Sequence, residues 1–327
     1  MRVDEDCAGQ RLDNFLLRQL KGVPKTHVYR IIRSGEVRVN KGRATADSRV
    51  AAGDAVRLPP IRVSDRAAQK TRAMAESVAR GAPAREFAVL FEDEHLLAID
   101  KPSGVAVHGG SGVSFGVIEQ LRMARPAERF LELVHRLDRD TSGILLIAKK
   151  RSALRQLQDQ FRERETGKTY LALVAGRWPA NKKVLDKPLH KYLLPDGERR
   201  VKVVARDDPD GLSSITLVKV AQRLGARAGA GAGMSLLEVT LKTGRTHQIR
   251  VHLASEGHPI AGDDKYGDFE LNKALLRGGP MPALKRMFLH AWRLQFNHPA
   301  SGERIALLAP LPTDLEAFVT HAASPAP

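Results

Sequence analysis

The stretch VHRLDRDTSG, residues 134–143, is strongly polar and lies between two apolar runs, FLELV at 130–134 and ILLIAKK at 144–150. Short runs rich in Leu, Ile and Val read as core strands. The polar residues between them then form a loop at the strand ends, where a rigid scaffold can present reactive groups. Two aspartates, Asp138 and Asp140, sit in that loop. Asp140, followed by Thr-Ser-Gly, fits a turn-capping residue bonded to its own backbone. Asp138 is the candidate for chemistry.

Its setting makes it unusual. The 327-residue chain carries 53 Lys plus Arg against 37 Asp plus Glu, a formal net charge of +16. A polyanion is the natural partner of such a chain, although excess Lys and Arg also serve solubility. Beside a polyanion, an unpaired carboxylate is disfavoured by repulsion, so a role in stability alone explains Asp138 poorly. The length suits one sizeable domain plus a small one. With the single cysteine Cys7, neither an intramolecular disulfide framework nor a thiolate metal cluster is available. No apolar run approaches a membrane span, and MRVDEDCAGQ lacks the apolar core of a signal peptide. We expect a cytoplasmic protein.

Residues 1–60 read as a small module. Leu12, Phe15, Leu16 and Leu20 recur at helical spacing, as do Val28, Ile31 and Ile32 before Gly35, a C-terminal cap. EVRVN then alternates, NKG turns and DAVRL follows as a further strand. Arg30 and Arg33 share a face of the second helix, and Arg38 joins them on the strand. An ordinary solvated face is the alternative, but cations concentrated on the second helix and the turn fit RNA better. Residues 61–86, Ala-rich and basic, read as a linker. Residues 87–319 mix strands with fewer helices, including SALRQLQDQF, in which Leu154, Leu157 and Phe161 align, and so form an α+β domain. RLGARAGAGAGMS at 223–235 reads as a flexible hairpin tip, and 320–327 as a disordered tail.

The N-terminal arrangement resembles the S4 domain, an RNA-binding unit. HRLDRDTSG, together with KPSGVAVH at 101–108, KTYLALV at 168–174 and GRTHQIRVHLASEGHPIAGDDKYG at 244–267, resembles the RluA family of pseudouridine synthases. Within that family GVPKTHVYRIIRSGEVRVNK, HGGSGVSFGVIEQLR and FLELVHRLDRDTSG look most like the RluC type. The resemblance implies a mixed, largely antiparallel sheet with flanking helices behind the S4-like module. It also implies large-subunit ribosomal RNA, free or in pre-ribosomal particles, as partner, and no cofactor or metal. The size fits a monomer.

By the same resemblance Asp138 is the reactive aspartate. Pseudouridine formation breaks the bond from ribose C1′ to uracil N1, turns the base and joins C1′ to C5. A glycosidase needs a second carboxylate to protonate its leaving group, whereas uracil can leave as a delocalised anion. Asp138 can attack C1′ or take the C2′ proton, and either role needs an ionised carboxylate. Thr246 reads as a helix N-cap and Gly257 as its terminator, placing Arg250 about one turn into a helix. The resemblance makes Arg250 the partner of Asp138, Tyr170 the aromatic against the target base, and Arg136 the side chain filling the gap left by an everted nucleotide. His135, Arg139, Arg245 and His247 in the same segments are further expected RNA contacts, with Arg30, Arg33 and Arg38 in the small module. His135, His247, His252, His258 and His290 show no ligand spacing.

Two other readings compete. DRDT at 138–141 matches the D-x-D-x-T pattern of aspartate-nucleophile phosphatases, with GDDKYGD at 262–268 as an acidic magnesium site. A non-catalytic RNA-binding assembly factor would use Asp138 only to brace its loop.

Overall fold

The computed structural model describes residues 1–4, 7–20, 23, 25–60, 84–109, 115–195, 198–225, 233–278 and 282–323. The chain divides into two compact units, Met1–Pro83 and Ala84–Pro327.

The first unit holds helices α1 (Leu12–Gln19) and α2 (Lys25–Arg33) and strands β1 (Arg38–Val39), β2 (Gly42–Arg43) and β3 (Val56–Arg57). The strands form a small sheet in the order β2-β1-β3. The periodic apolar residues Leu12, Phe15, Leu16, Val28, Ile31 and Ile32 form one core with Val37 and Val56. Gly35 ends α2 with φ 74° and donates its N–H to the Ile32 carbonyl. Asn40 and Lys41 both have positive φ, as a two-residue hairpin turn between strands of ordinary twist requires.

The second unit is built on a ten-stranded sheet. Its strands are β4 (Ala88–Glu92), β5 (Leu96–Lys101), β6 (Glu132–Leu133), β7 (Ser142–Ala148), β8 (Gly167–Ala175), β9 (Val184–Asp186), β12 (Ile215–Leu224), β13 (Met234–Leu241), β14 (Leu289–Asn297) and β15 (Arg304–Leu308). The order is β4-β5-β7-β14-β8-β13-β12-β9, with β15 against β14 and β6 against β7. Of these pairs β7 and β14 run parallel and the others antiparallel. Strands β10 (Leu189–Leu193) and β11 (Arg199–Val203) form a separate antiparallel pair. Helices α3 (Val117–Ala124), α4 (Arg151–Glu163), α5 (Gln248–Ser255), α6 (Phe269–Arg277) and α7 (Thr313–Ala323) flank the sheet. This is the α+β architecture expected.

Every residue of β7 is buried. Leu145 and Ile147 pack with Val117, Ile118 and Leu121 of α3, while Ile144, Leu146 and Ala148 pack with Ala153 and Leu157 of α4. A strand covered on both faces reads as a continuous apolar run rather than an alternating one.

The topology places β14, from late in the chain, between β7 and β8. At the start of β7 the two backbones approach so closely that a Cβ on Gly143, whose φ is 108°, would lie 2.3 Å from the Ala291 carbonyl oxygen. Only glycine fits there.

The structure corrects the expected tail. Helix α7 runs to Ala323 because Leu315, Phe318 and Ala322 bury one face against Leu173, Leu236 and Leu284. Residues 324–327 lie outside the described residues, as do 61–83 of the expected linker and 226–232 of the expected hairpin tip. The strands flanking that tip pair to its base, Leu224 opposite Met234. Among the described residues no helix is long and apolar enough to cross a membrane.

Candidate active site

The loop between β6 and β7 is held by its backbone. Leu137 is buried beneath it. The Thr141 N–H donates to the Asp138 carbonyl, and Ser103 Oγ donates to the Asp140 carbonyl at 2.7 Å. Lys101, fully buried at the end of β5, donates from Nζ to the carbonyls of Pro102, Val105 and Arg139 at 2.8, 2.8 and 2.9 Å. Burial pushes the Lys101 amine down to about 7, and three carbonyl acceptors match the three N–H bonds of its ammonium form.

Asp138 projects from this clamped loop with its side chain 21% exposed. Nη1 of Arg250 stands 3.4 Å from Oδ2 of Asp138. The tighter bonds of Arg250 go to Asp263, from Nε to Oδ2 and from Nη2 to Oδ1, both at 2.7 Å, with Asp264 Oδ1 at 3.3 Å from Nη2. Burial opposes the charge on Arg250, but Asp263, then Asp138 and Asp264, outweigh it and hold the guanidinium above its ordinary value. Burial likewise opposes ionisation of Asp263, which Arg250 and the Tyr266 and Lys265 N–H groups overcome, holding the carboxyl below its usual range.

Helix α5 begins one residue later than expected. Its cap is His247, at φ 52° and without a side-chain capping bond, rather than Thr246. The preceding turn is tied instead by buried Gln248, whose Oε1 accepts from Thr243 Oγ1 and the Arg245 N–H, while Nε2 donates to the Ile215 carbonyl and Thr216 Oγ1. Arg250 therefore still falls in the first turn. The turn also brings His247 Nε2 to 3.9 Å from Asp138 Oδ2. Burial keeps His247 below the ordinary histidine value although Asp138 pulls it up. The Tyr266 oxygen accepts from the Val201 N–H and shares a hydrogen bond of 2.8 Å with His247 Nδ1, which fixes the ring with Nε2 on the Asp138 side.

Asp138, His247 and Arg250 line a pocket of about 120 Å³ with Arg136, Tyr170, Leu241 and Arg245 at its walls. Tyr170 is half-buried on β8, where its register partners are Val239 and Ala291. Burial, reinforced by the negative Asp138, raises its phenol above the usual tyrosine value, so it keeps its proton at neutral pH. Arg136 is exposed. Arg245 donates from Nε to the Ser213 carbonyl.

Other expected site residues are placed differently. His135 stacks on Phe161 at 4.7 Å and accepts the Leu146 N–H on Nε2, so its ring also packs the loop. Burial lowers it to about 4. Arg139 is exposed but pairs with Asp140 at 3.2 Å, so the Asp140 carboxylate binds a neighbouring guanidinium instead of capping its turn. In the first unit Arg30 and Arg33 are exposed and Arg38 is half-buried. The acids of the phosphatase reading are already engaged: Asp263 grips Arg250, and Asp268 accepts the Glu270 and Leu271 N–H groups at the start of α6. Sequence reasoning missed Asp263 as the brace and Tyr266 as the group orienting His247. Their signal was their place in the same motif as Arg250.

The pocket thus joins one partly exposed carboxylate, Asp138, to a buried guanidinium, Arg250, on a mixed sheet. The family model described as RNA pseudouridylate synthase matches residues 95–255, and that of the S4 domain matches residues 10–56. The ribosomal large subunit pseudouridine synthase C of Salmonella typhimurium is 52% identical over 314 residues, covering 96% of this chain and 93% of the relative. Its counterpart from Escherichia coli strain K12 is 51% identical with the same coverage, and that from Pasteurella multocida is 50% identical, covering 97% and 91%. The chain belongs to the RNA pseudouridine synthase family. The solved human RNA pseudouridylate synthase domain containing 4 shares the fold, with a TM-score of 0.57 at 24% identity over 78% of this chain and 97% of that one.

Proposed function

We propose that this enzyme converts uridines of large-subunit ribosomal RNA, free or in pre-ribosomal particles, to pseudouridine, with Asp138 as the reacting carboxylate and without cofactor or metal. The observation that carries the reading is the 3.4 Å approach of Arg250 Nη1 to Asp138 Oδ2 in a pocket shared with Tyr170. The RNA class rests on the names of the relatives and on the S4 match.

Asp138 either bonds to C1′ or removes the C2′ proton. In both routes the electron pair of the C1′–N1 bond leaves on uracil, stabilised as a delocalised anion. The base turns and C5 bonds to C1′, which in the first route displaces Asp138 as a free carboxylate and in the second is accompanied by return of the proton from Asp138 to C2′; the C5 proton then departs and N1 gains a proton. Arg250 holds positive charge against one carboxylate oxygen throughout and fixes its direction. The ring of Tyr170 packs against the base, and its phenol remains a proton donor. Arg136, at the pocket wall, fills the space the everted nucleotide leaves. The S4 unit docks the RNA through Arg30, Arg33 and Arg38, and the enzyme acts as a monomer in the cytoplasm.

Mapping pseudouridines by carbodiimide-stopped reverse transcription, in cells with and without this gene, tests the proposal. Stops confined to the gene-bearing cells and located in large-subunit ribosomal RNA support it. An unchanged pattern in that RNA contradicts it. Removal of residues 1–60 is expected to weaken capture of full-length ribosomal RNA while sparing chemistry on a small RNA.

A further inference from the structure

Beside the active pocket lies a second cavity of about 410 Å³, and Arg136, Tyr170 and Arg245 line both. Its cations are Arg136, Arg162, Arg164, Lys168, Lys242 and Arg245, and no carboxylate is among its lining residues. Lys168 stands two residues before Tyr170 on β8. It is half-buried, its Nζ is 5.2 Å from the centre of the Phe161 ring, and among the described residues no carboxylate lies within 4.0 Å of it. A half-buried ammonium that faces an aromatic ring but has no carboxylate to neutralise it is disfavoured by burial. Burial, then the charge of Arg164, lowers the Lys168 amine below its ordinary value.

Arg164 adds an independent sign. It closes α4 at φ 65°, donating its N–H to the Gln160 carbonyl. Helices commonly end on glycine in this conformation, because a side chain there is strained. Strained positions concentrate where function requires them. The arginine accepts that strain at the wall of a cavity lined by cations.

We infer that this cavity is a second RNA subsite, in which Lys168 and Arg164 hold a phosphodiester of a nucleotide flanking the target uridine. The inference rests on the reading of the substrate as RNA. An anion between the two cations supplies the missing counter-charge, and the shared wall leads the strand directly to Asp138.

The test compares wild type with Lys168→Met, Arg164→Gly and, as a control for lost charge, Lys219→Met, an exposed lysine paired with Glu238. The probe is an unmodified large-subunit ribosomal RNA transcript labelled with tritium at uridine C5, so that affinity and proton release are both read. For Lys168→Met we expect affinity about tenfold weaker, and a salt dependence shallower by roughly one phosphate contact. The rate at saturating RNA should stay within about threefold, and the melting temperature should be no lower than wild type. Arg164→Gly should weaken binding likewise without loss of stability, and Lys219→Met should change neither. Unchanged affinity and salt slope in the first two variants overturn the subsite. So does a collapsed rate at saturation with unchanged affinity, which would make Lys168 a support for Tyr170. Wild-type protein that binds the transcript without releasing tritium would sink the functional reading, while the affinities would still decide the subsite.

Discussion

Asp263 closes both carboxylate oxygens on Arg250 at 2.7 Å, leaving Nη1 as the part of the guanidinium that reaches Asp138, at 3.4 Å. Asp263 therefore aims the cation that faces Asp138, the carboxylate proposed to react. Both members of the pair are almost fully buried, at 3% and 1% side-chain exposure. Removing one partner of such a pair costs about 3–5 kcal/mol. We expect Asp263→Ala to lower stability by that order in urea melts and to reduce tritium release at least tenfold. Asp264→Asn, which alters an exposed partner, should change both far less.

Gly143 is the point where β7 meets β14. An alanine there puts its Cβ 2.3 Å from a backbone oxygen in a conformation unfavourable to side chains. Gly143→Ala is expected to unfold the protein or lower its melting temperature by more than about 10 °C, roughly the effect of several kcal/mol. A normal melting curve would contradict the close approach.

Two neutral histidines give the stability a pH dependence. Burial lowers His135 and His290 from 6.5 to about 4. Between those two values the unfolded state binds the protons that the folded state does not. Stability therefore falls with falling pH across that window, and the loss is complete below it. For His290, wholly buried and bonded to Ser142 Oγ and the Ala309 carbonyl, the contribution is on the order of 3 kcal/mol. Urea melts at neutral pH and near the lower end of the window should show this decline, and His290→Gln should flatten it.

Tyr170 separates ring from hydroxyl. With its phenol raised by burial and by Asp138, it contributes no ionisation to the pH profile in the neutral range. Tyr170→Phe should keep RNA affinity and lower the rate at saturation, whereas Tyr170→Ala should lower both. Equal effects of the two variants would remove any role for the hydroxyl.

The fold was legible where local pattern and burial agree. The apolar runs around residues 134–143 marked β6 and β7, and the helical spacing of Leu12, Phe15 and Leu16 marked α1. Arg250 was legible through its motif. Asp263 was not, because a carboxylate in a glycine-bounded acidic stretch reads equally well as a metal ligand until its partner in space is known. The packing of His135 was not legible, because its neighbours in sequence include a cation, while its neighbours in space are Phe161 and the Leu146 N–H. Thr246 has the chemistry of a cap, yet the left-handed turn at His247 and the buried bonds of Gln248 set the start of α5. The insertion of β14 between β7 and β8 is a long-range pairing that no local pattern announces.

The most direct measurement is tritium release from C5-labelled ribosomal RNA by Asp138→Asn, with RNA affinity read on the same protein. Asparagine keeps the shape of the side chain and removes its charge. Release should fall by about 10³-fold or more, with affinity within a few-fold of wild type. Release at the wild-type rate would show that this carboxylate does not carry the reaction.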